Sequence, residues 1–225
     1  MILFDLDGTL IDTTDLILRS FAHAFDRHYP GRLPAREALI ATFGRSLPAT
    51  LREMAADAGE ADPEARTIEL LETYREYQHV HHDVMIRPFP GVPDMLRALS
   101  RDGQRLGLVT SKMEGFARRG LRVCGLDVHF EIAVFHDDTP RHKPAPDPLL
   151  LAAARGGVDP RRVIYVGDST HDVVAGRAAG MRTVSVLWGP FPRAVLEAEH
   201  PDHLVASPQE LVDVARSFAS QDEAP

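Results

Sequence analysis

The sequence predicts an α/β fold: a doubly wound, mostly parallel sheet interrupted near its start by an all-helical insertion. Three observations carry this. Short apolar runs alternate with helical stretches through the second half of the chain. Runs such as RLGLVT and VIYVGD are apolar on both faces, as parallel strands covered by helices on both sides should be. The run ILFDL at residues 2–6 reads as a strand too short to stand alone, so it must join the later sheet. Strand–helix–strand repetition then implies right-handed βαβ units.

The elements follow in order. After the first strand, every stretch from Thr13 to about Met85 reads as helix. DTTDLILRSFAHAF places Leu16, Ile17, Phe21, Ala24 and Phe25 on one face, with Thr13 or Thr14 as N-cap. PAREALIATFG, LPATLREMAADAG and PEARTIELLETYREYQHVHHDVM come next, separated by YPGRLP, GRS and GEAD, breaks rich in Gly and Pro. After RPFPGV the pattern alternates: PDMLRALSRDG as helix, RLGLVT as strand, KMEGFARRGLRVCG as helix, FEIAVF as strand. DPLLLAAARGG, VIYVGD, HDVVAGRAAG, RTVSVLW, RAVLEAEH, the short HLVA and PQELVDVARSFA continue the alternation. The expected organisation is a discontinuous core, residues 1–12 plus 86–225, around a helical domain of residues 13–85. Hinges are expected near Asp12–Thr14 and Ile86–Pro90. The final SQDEAP is expected to fray.

Bulk properties narrow the function. A chain of 225 residues with 44% hydrophobic and 26% charged residues has an ordinary globular composition. Its formal charge of −8 argues against a nucleic-acid partner, which needs a basic face. No run approaches the ~18 apolar residues of a membrane span, and no signal peptide is read at MILFDLD, so no membrane partner and a cytoplasmic setting are expected. The single cysteine, Cys124, reads as a small core residue rather than a nucleophile. Of 25 basic residues only Lys112 and Lys143 are lysine, and both stand beside candidate motifs, where a compact ammonium differs from a planar guanidinium.

In an open parallel sheet, ligands bind at the carboxyl ends of the strands. There the first strand delivers Asp5-Leu6-Asp7-Gly8-Thr9, RLGLV delivers Thr110-Ser111-Lys112, and VIYV delivers Gly167-Asp168. His142-Lys143-Pro144 follows the FEIAVF strand. Bland readings of Asp5 and Asp7 fit less well. A calcium loop needs an acid at its twelfth position, which is Leu16. A hairpin turn at Asp7-Gly8 lacks a partner strand, and helix capping needs only one acid. None of these accounts for Asp168 and Lys143. In an extended chain, residues two apart point to one side, so one carboxylate can attack an electrophile while the other handles a proton. Mg²⁺ suits such a site, because it takes one or two carboxylates plus phosphate and water. Thr110 and Lys143 would hold the outer phosphate oxygens. The G-x-S-x-G elbow and the P-loop pattern are absent.

DLDGTLID, LVTSK, HKPAP and VGDSTHDVVAGRAAG resemble, in order, the four motifs of the haloacid dehalogenase superfamily, and the resemblance spans essentially the whole chain, with residues 13–85 similar to its helical cap. The resemblance implies a Rossmann-like core and an aspartyl-phosphate mechanism. Asp5 would be the nucleophile and Asp7 the proton donor to the leaving oxygen and later the base for water. Thr110, Ser111 and Lys143 would bind the phosphoryl group. Asp5, the Asp7 carbonyl and Asp168 would coordinate Mg²⁺, with Asp172 supporting from behind, Gly8 allowing the sharp turn and Thr9 fixing the loop.

The chain departs from several branches of that superfamily. Asp7 is unlike the metal-free dehalogenases, and residues 13–85 contain no lysine for the Schiff base of a phosphonatase. Ile17 stands where the β-phosphoglucomutase branch carries a histidine. The chain is most similar to phosphoglycolate phosphatases and their inorganic pyrophosphatase offshoot, which DTTDLILRSFAHAFDRHYP, His81-His82-Asp83 and LEAEHPDHLV resemble. The expected substrate is a small phosphorylated molecule, 2-phosphoglycolate or pyrophosphate, with a phosphomutase or a nucleotidase as alternative. A binding protein that has lost turnover would be expected to lack one of Asp5, Asp7, Lys143 and Asp168. Arg45 is a candidate for a second anionic group or a plain surface arginine. His79, His81 and His82 face different directions on a helix and read as a solvated helix end, and His171 reads as a loop residue. Whether the chain is a monomer or a homodimer is open.

Overall fold

A computed structural model of the chain describes residues 1–222. Among these, a six-stranded parallel sheet is built from β1 (Ile2–Phe4), β4 (Leu106–Val109), β5 (Ile132–Val134), β6 (Ile164–Gly167), β7 (Arg182–Val186) and β8 (His203–Val205), in the order β5-β4-β1-β6-β7-β8. β1 lies between β4 and β6, with Phe4 opposite Leu108 on one side and Val166 on the other. The strand that opens the chain thus occupies the middle of the sheet.

Successive residues of β1 point to opposite faces. Ile2 and Phe4 pack into one core with Met95, Leu96 and Leu99 of α5 (Val92–Arg101) and Leu211 and Val212 of α10 (Pro208–Asp222). Leu3 packs into the other, with Leu149, Ala152 and Ala153 of α7 (Asp147–Gly156) and Ala175 of α8 (Thr170–Ala178). α6 (Glu114–Val123) and α9 (Arg193–Glu197) complete the helices of this part. Apolar covering on both faces makes the sheet doubly wound. SQDEAP departs from expectation for its first half, since α10 runs through Asp222; its last three residues lie outside the described residues.

The insertion holds α1 (Thr14–His28), α2 (Arg36–Ile40), α3 (Leu47–Asp57) and α4 (Pro63–Met85). Its core joins Phe21, Ala24 and Phe25 of α1 to Leu51 and Ala55 of α3 and Leu70 and Tyr74 of α4. Leu16, one turn earlier on α1, packs into the sheet core instead. Thr13 stands at the N-cap of α1, but its buried hydroxyl has no hydrogen-bond partner among the described residues; the Asp12 carboxylate accepts the Thr14 N–H at 3.2 Å. The acid one residue earlier therefore takes the first N–H of the helix, and the expected threonine cap is not made.

Two connections join insertion and sheet, and they pair as an antiparallel ribbon of β2 (Ile11–Asp12) and β3 (Arg87–Pro88). Two-residue strands show no alternating pattern, which is why the sequence gives no sign of them. The chain also turns back after Asp7: Gly8 N–H donates to Ile11 O, and Leu10 and Ile11 N–H to Leu6 O. The turn builds no hairpin, as expected from the sequence: Ile11 bridges Asp7 in the parallel sense, and β2 pairs with β3.

The end of α4 is not simply solvated. His79 is exposed, but His82 is fully buried against α6, with a Cβ built on Gly120 only 3.6 Å from its ring. The His82 Nδ1 lies 2.8 Å from Asp83 Oδ1, which also accepts from Arg119 Nε of α6 at 2.8 Å. This links the insertion to the sheet part.

Candidate active site

The tips of three neighbouring strands, β4, β1 and β6, deliver Thr110, Asp5 and Asp168 to one edge of the sheet. Asp5 is 4% exposed, Asp168 2% and Thr110 4%, so all three polar groups are shielded from bulk water. Asp5 is held by its own backbone, whose N–H donates to Val166 O at 2.9 Å. Lys143 comes from the connection between β5 and α7 and is also buried. Its Nζ donates to Asp5 Oδ1 at 2.8 Å, Asp172 Oδ1 at 2.7 Å and the Tyr165 hydroxyl at 3.0 Å, which uses all three of its protons.

Asp172 does two jobs. Its Oδ1 receives Lys143 and the Tyr165 hydroxyl, the latter at 2.9 Å. Its Oδ2 accepts from the Ser169 N–H at 3.0 Å and the Ser169 hydroxyl at 2.5 Å, closing a capping box at the start of α8. Asp168 is less well supplied, with Thr9 Oγ1 donating to its Oδ1 at 2.8 Å. The Thr9 loop is held in turn by Trp188 Nε1, which donates to Thr9 O at 2.9 Å. Gly8 lets this loop come close: its φ is +86°, and a Cβ there would sit 2.3 Å from Asp168 Oδ2.

Charge in the cluster is unbalanced. Burial, reinforced by Asp172, pushes the Asp5 carboxyl up to about 7 against the opposing pull of Lys143. Burial likewise raises Asp168 well above the usual carboxylate range, with Asp172 and Asp5 adding to it. Burial works against the charge on Lys143, yet Asp172 and Asp5 raise it well above an ordinary lysine. Burial also opposes the charge on Asp172, but Lys143, Ser169 and Tyr165 hold its carboxyl below the ordinary value. Three carboxylates thus face one ammonium.

Oxygens of Asp5, Asp168 and Asp172 lie within 4.8 Å of one another, which fits a hard divalent cation. Asp172 spends both oxygens on protein donors. Asp5 and Asp168 each keep an oxygen without a protein donor among the described residues, and are the better candidates to hold the ion.

Asp7 stands apart from this cluster. Its carboxylate accepts from Lys112 Nζ at 2.7 Å, and the Lys112 N–H donates to Thr110 Oγ1 at 3.2 Å. Asp5 and Asp7 both line a cavity of about 130 Å³ between the sheet edge and the insertion. Thr110, Ser111 and Lys112 continue its floor, while Phe21, Phe43 and Tyr74 belong to its roof. The Ser111 hydroxyl donates to Gly44 O at 2.7 Å and so ties floor to roof. Gly44 has a φ of +84°, and a Cβ there would lie 2.6 Å from Ser169 Oγ. Arg45 also lines the cavity, but its Nη2 is paired with Glu53 Oε1 at 2.5 Å.

The structure therefore gathers Asp5, Asp168, Asp172, Lys143, Gly8 and Thr9 in one cluster, with Asp7, Thr110 and Ser111 along the adjoining cavity. His171 lies in the first turn of α8 rather than in a loop, and takes no part in the acidic cluster. Cys124 is half-buried, and burial pushes its thiol up to about 11, which leaves it inert as a nucleophile. Sequence reasoning missed Tyr165, Ser169, Trp188 and Gly44. A signal existed for Tyr165, because a tyrosine inside an apolar strand must find a partner for its hydroxyl.

Comparison with known proteins agrees with this architecture. Residues 2–186 match the family model of haloacid dehalogenase-like hydrolases. Pyrophosphatase PpaX of Bacillus pumilus is 37% identical over 213 residues, covering 95% of this chain and 94% of its own. Pyrophosphatase PpaX of Halalkalibacterium halodurans is 36% identical, with 95% of each chain covered. Among solved structures, a hydrolase from Pseudomonas syringae superposes with a TM-score of 0.85 at 23% identity, over 96% of this chain and 97% of that one. A predicted phosphoglycolate phosphatase from Haemophilus somnus gives 0.81 at 23%, over 96% and 97%.

Proposed function

The chain belongs to the haloacid dehalogenase-like hydrolase family, and we propose that it is a Mg²⁺-dependent phosphatase of small phosphorylated anions, working through an aspartyl-phosphate. The observation that carries the reading is Asp5, buried against Lys143 yet open to the same cavity as Asp7. In this reading residues 13–85 are a cap over a core of residues 1–12 plus 86–225.

The chemistry balances with residues at hand. A carboxylate oxygen of Asp5 attacks phosphorus, the bond to the leaving oxygen breaks, and Asp7 gives that oxygen a proton. Asp7 then takes a proton from water, which attacks the phosphoryl-aspartate, and phosphate leaves with Asp5 restored. Lys143 holds Asp5 in position, and with Thr110 and Ser111 it faces the charge that develops on the phosphoryl oxygens. A bound Mg²⁺, held by Asp5, Asp168 and the Asp7 carbonyl with Asp172 behind them, would supply neutralising charge there. Gly8 and Thr9 keep the loop against Asp168.

A cavity of about 130 Å³ is well below the roughly 300–1,000 Å³ of pockets for drug-sized ligands, so the substrate is small. Inorganic pyrophosphate is favoured by the PpaX relatives at 36–37% identity over nearly their whole length. 2-Phosphoglycolate is the second reading, because Phe21, Phe43 and Phe116 offer an apolar wall to a carbon-bearing substrate. The test is phosphate release from pyrophosphate, 2-phosphoglycolate, sugar phosphates and nucleoside monophosphates, with Mg²⁺ and with chelator. Asp5→Asn should lower turnover at least about 1,000-fold. Turnover that survives that change, or full chelation, would overturn the mechanism.

A further inference from the structure

We propose that Arg75 reads the non-transferred anionic group of the substrate, a role for which the sequence offered Arg45 as a candidate beside the reading of a plain surface arginine. This deepens the phosphatase reading and rests on it. The cavity has cations on both walls: Arg45 and Arg75 from the insertion, Lys112 from the sheet edge, with Lys143 behind Asp5. Three of these four are already matched by carboxylates. Lys112 holds Asp7 at 2.7 Å, Arg45 holds Glu53 at 2.5 Å, and Lys143 holds Asp5 and Asp172.

Arg75 differs. It sits on α4, partly buried, and its Nη2 reaches across to Met113 Sδ at 2.9 Å. A thioether is a weak acceptor and carries no charge. Among the described residues Arg75 makes no ion pair, although Glu72 stands three residues earlier on the same helix, where an i,i+3 pair is available. The guanidinium lines the cavity instead, beside the uncharged Phe116 and Met113, and its charge is felt by His136, which lines the same cavity. A guanidinium left without a counter-charge beside apolar side chains is poorly stabilised by the protein alone. An anion entering the cavity completes it, and the planar fork suits a carboxylate or a phosphate equally. With Asp5 at the sheet edge and Arg75 on the insertion, the cavity orders a two-headed anion: one head for transfer, the other for recognition.

The test is steady-state phosphate release by the full chain with Mg²⁺, using pyrophosphate and 2-phosphoglycolate against p-nitrophenyl phosphate, which has no second anionic group. A charge-assisted hydrogen bond contributes about 1.5–3 kcal/mol, so Arg75→Gln should raise KM for the two-headed substrates roughly 10–150-fold more than for p-nitrophenyl phosphate. kcat should change far less than KM, and Arg75→Lys should recover part of the loss. Equal KM changes for all three probes, or a selective rise from Arg45→Gln and none from Arg75→Gln, would overturn the assignment. A binding arm separates this from failure of the phosphatase reading. Calorimetric binding of pyrophosphate and of orthophosphate is compared in Asp5→Asn and in Asp5→Asn with Arg75→Gln. Selective weakening of pyrophosphate supports Arg75 even if no probe is hydrolysed, and equal weakening of both sinks it.

Discussion

Replacing Tyr165 by phenylalanine removes one oxygen from the centre of the acidic cluster and changes almost nothing else. Tyr165 is 1% exposed, and its hydroxyl accepts from Lys143 at 3.0 Å while donating to Asp172 at 2.9 Å. Without it, Lys143 keeps Asp5 and Asp172 but has one N–H with no acceptor, in a site closed to water. A buried donor left unsatisfied costs about 1–3 kcal/mol, toward the upper end when charged, so a loss of about 2–3 kcal/mol is expected. For a chain of 225 residues, each kcal/mol moves the midpoint by about 2–4 °C, which gives a fall in Tm of about 4–12 °C. Thermal unfolding followed by circular dichroism, with chelator and again with Mg²⁺, reads this directly. A shift within about 1 °C in both conditions would mean that the hydroxyl does not support the ammonium, and the account of the cluster given above would fail.

Two further outcomes follow from the junction between insertion and sheet. Gly44→Ala places a Cβ 2.6 Å from Ser169 Oγ at a φ of +84°; the left-handed conformation alone costs roughly 1–2 kcal/mol, so kcat/KM should fall about tenfold with the far-UV spectrum unchanged, and wild-type kinetics would count against a closed insertion in turnover. Burial holds the His82 imidazole below its usual value, against the pull of Asp83 and with Arg119 and Lys112 adding to the depression. The unfolded chain therefore binds that proton first, and the stability this group contributes is present above pH ~6.5 and lost as pH falls below it. Urea midpoints measured from pH 5 to 8 should show a shallower slope in His82→Gln than in the wild type, and parallel slopes would refute the assignment.

The strand ends were legible because a doubly covered parallel sheet leaves long apolar runs, and each run stops where a polar side chain begins. Asp5 after ILF, Thr110 after LGLV and Asp168 after IYVG all announce themselves in that way. Lys143 was legible by rarity, as one of two lysines. What was not legible is pairing across sequence distance. Nothing in GLVTSK indicates that Lys112 reaches Asp7, 105 positions away. Arg45 and Arg75 look alike in sequence, and only the position of Glu53 separates them. His82 was misread for the same reason, since its burial depends on α6, a helix from the other side of the ribbon.

The spacing of Asp5 and Asp7 now has a mechanical sense as well as a chemical one. Asp5 belongs to the sheet: its N–H is bonded to Val166 O, and its carboxylate is pinned by Lys143. Asp7 belongs to the connection, since its loop folds back onto Ile11, and Ile11 pairs with Pro88 on the return from the insertion. Phe89 N–H, just beyond that return, donates to Leu10 O at 3.1 Å. The same loop is also tied to the sheet edge, where Lys112 Nζ donates to Asp7 and Thr9 donates to Asp168, so it bridges the sheet and the ribbon while Asp5 belongs to the sheet alone. In the proposed reaction this divides the two acids by attachment: the group that must attack along one line is fixed to the sheet. The group that must serve first the leaving oxygen and then water sits on the loop that leads from the sheet into the ribbon. Two residues of separation are enough to put one carboxylate in the sheet and the other on that loop.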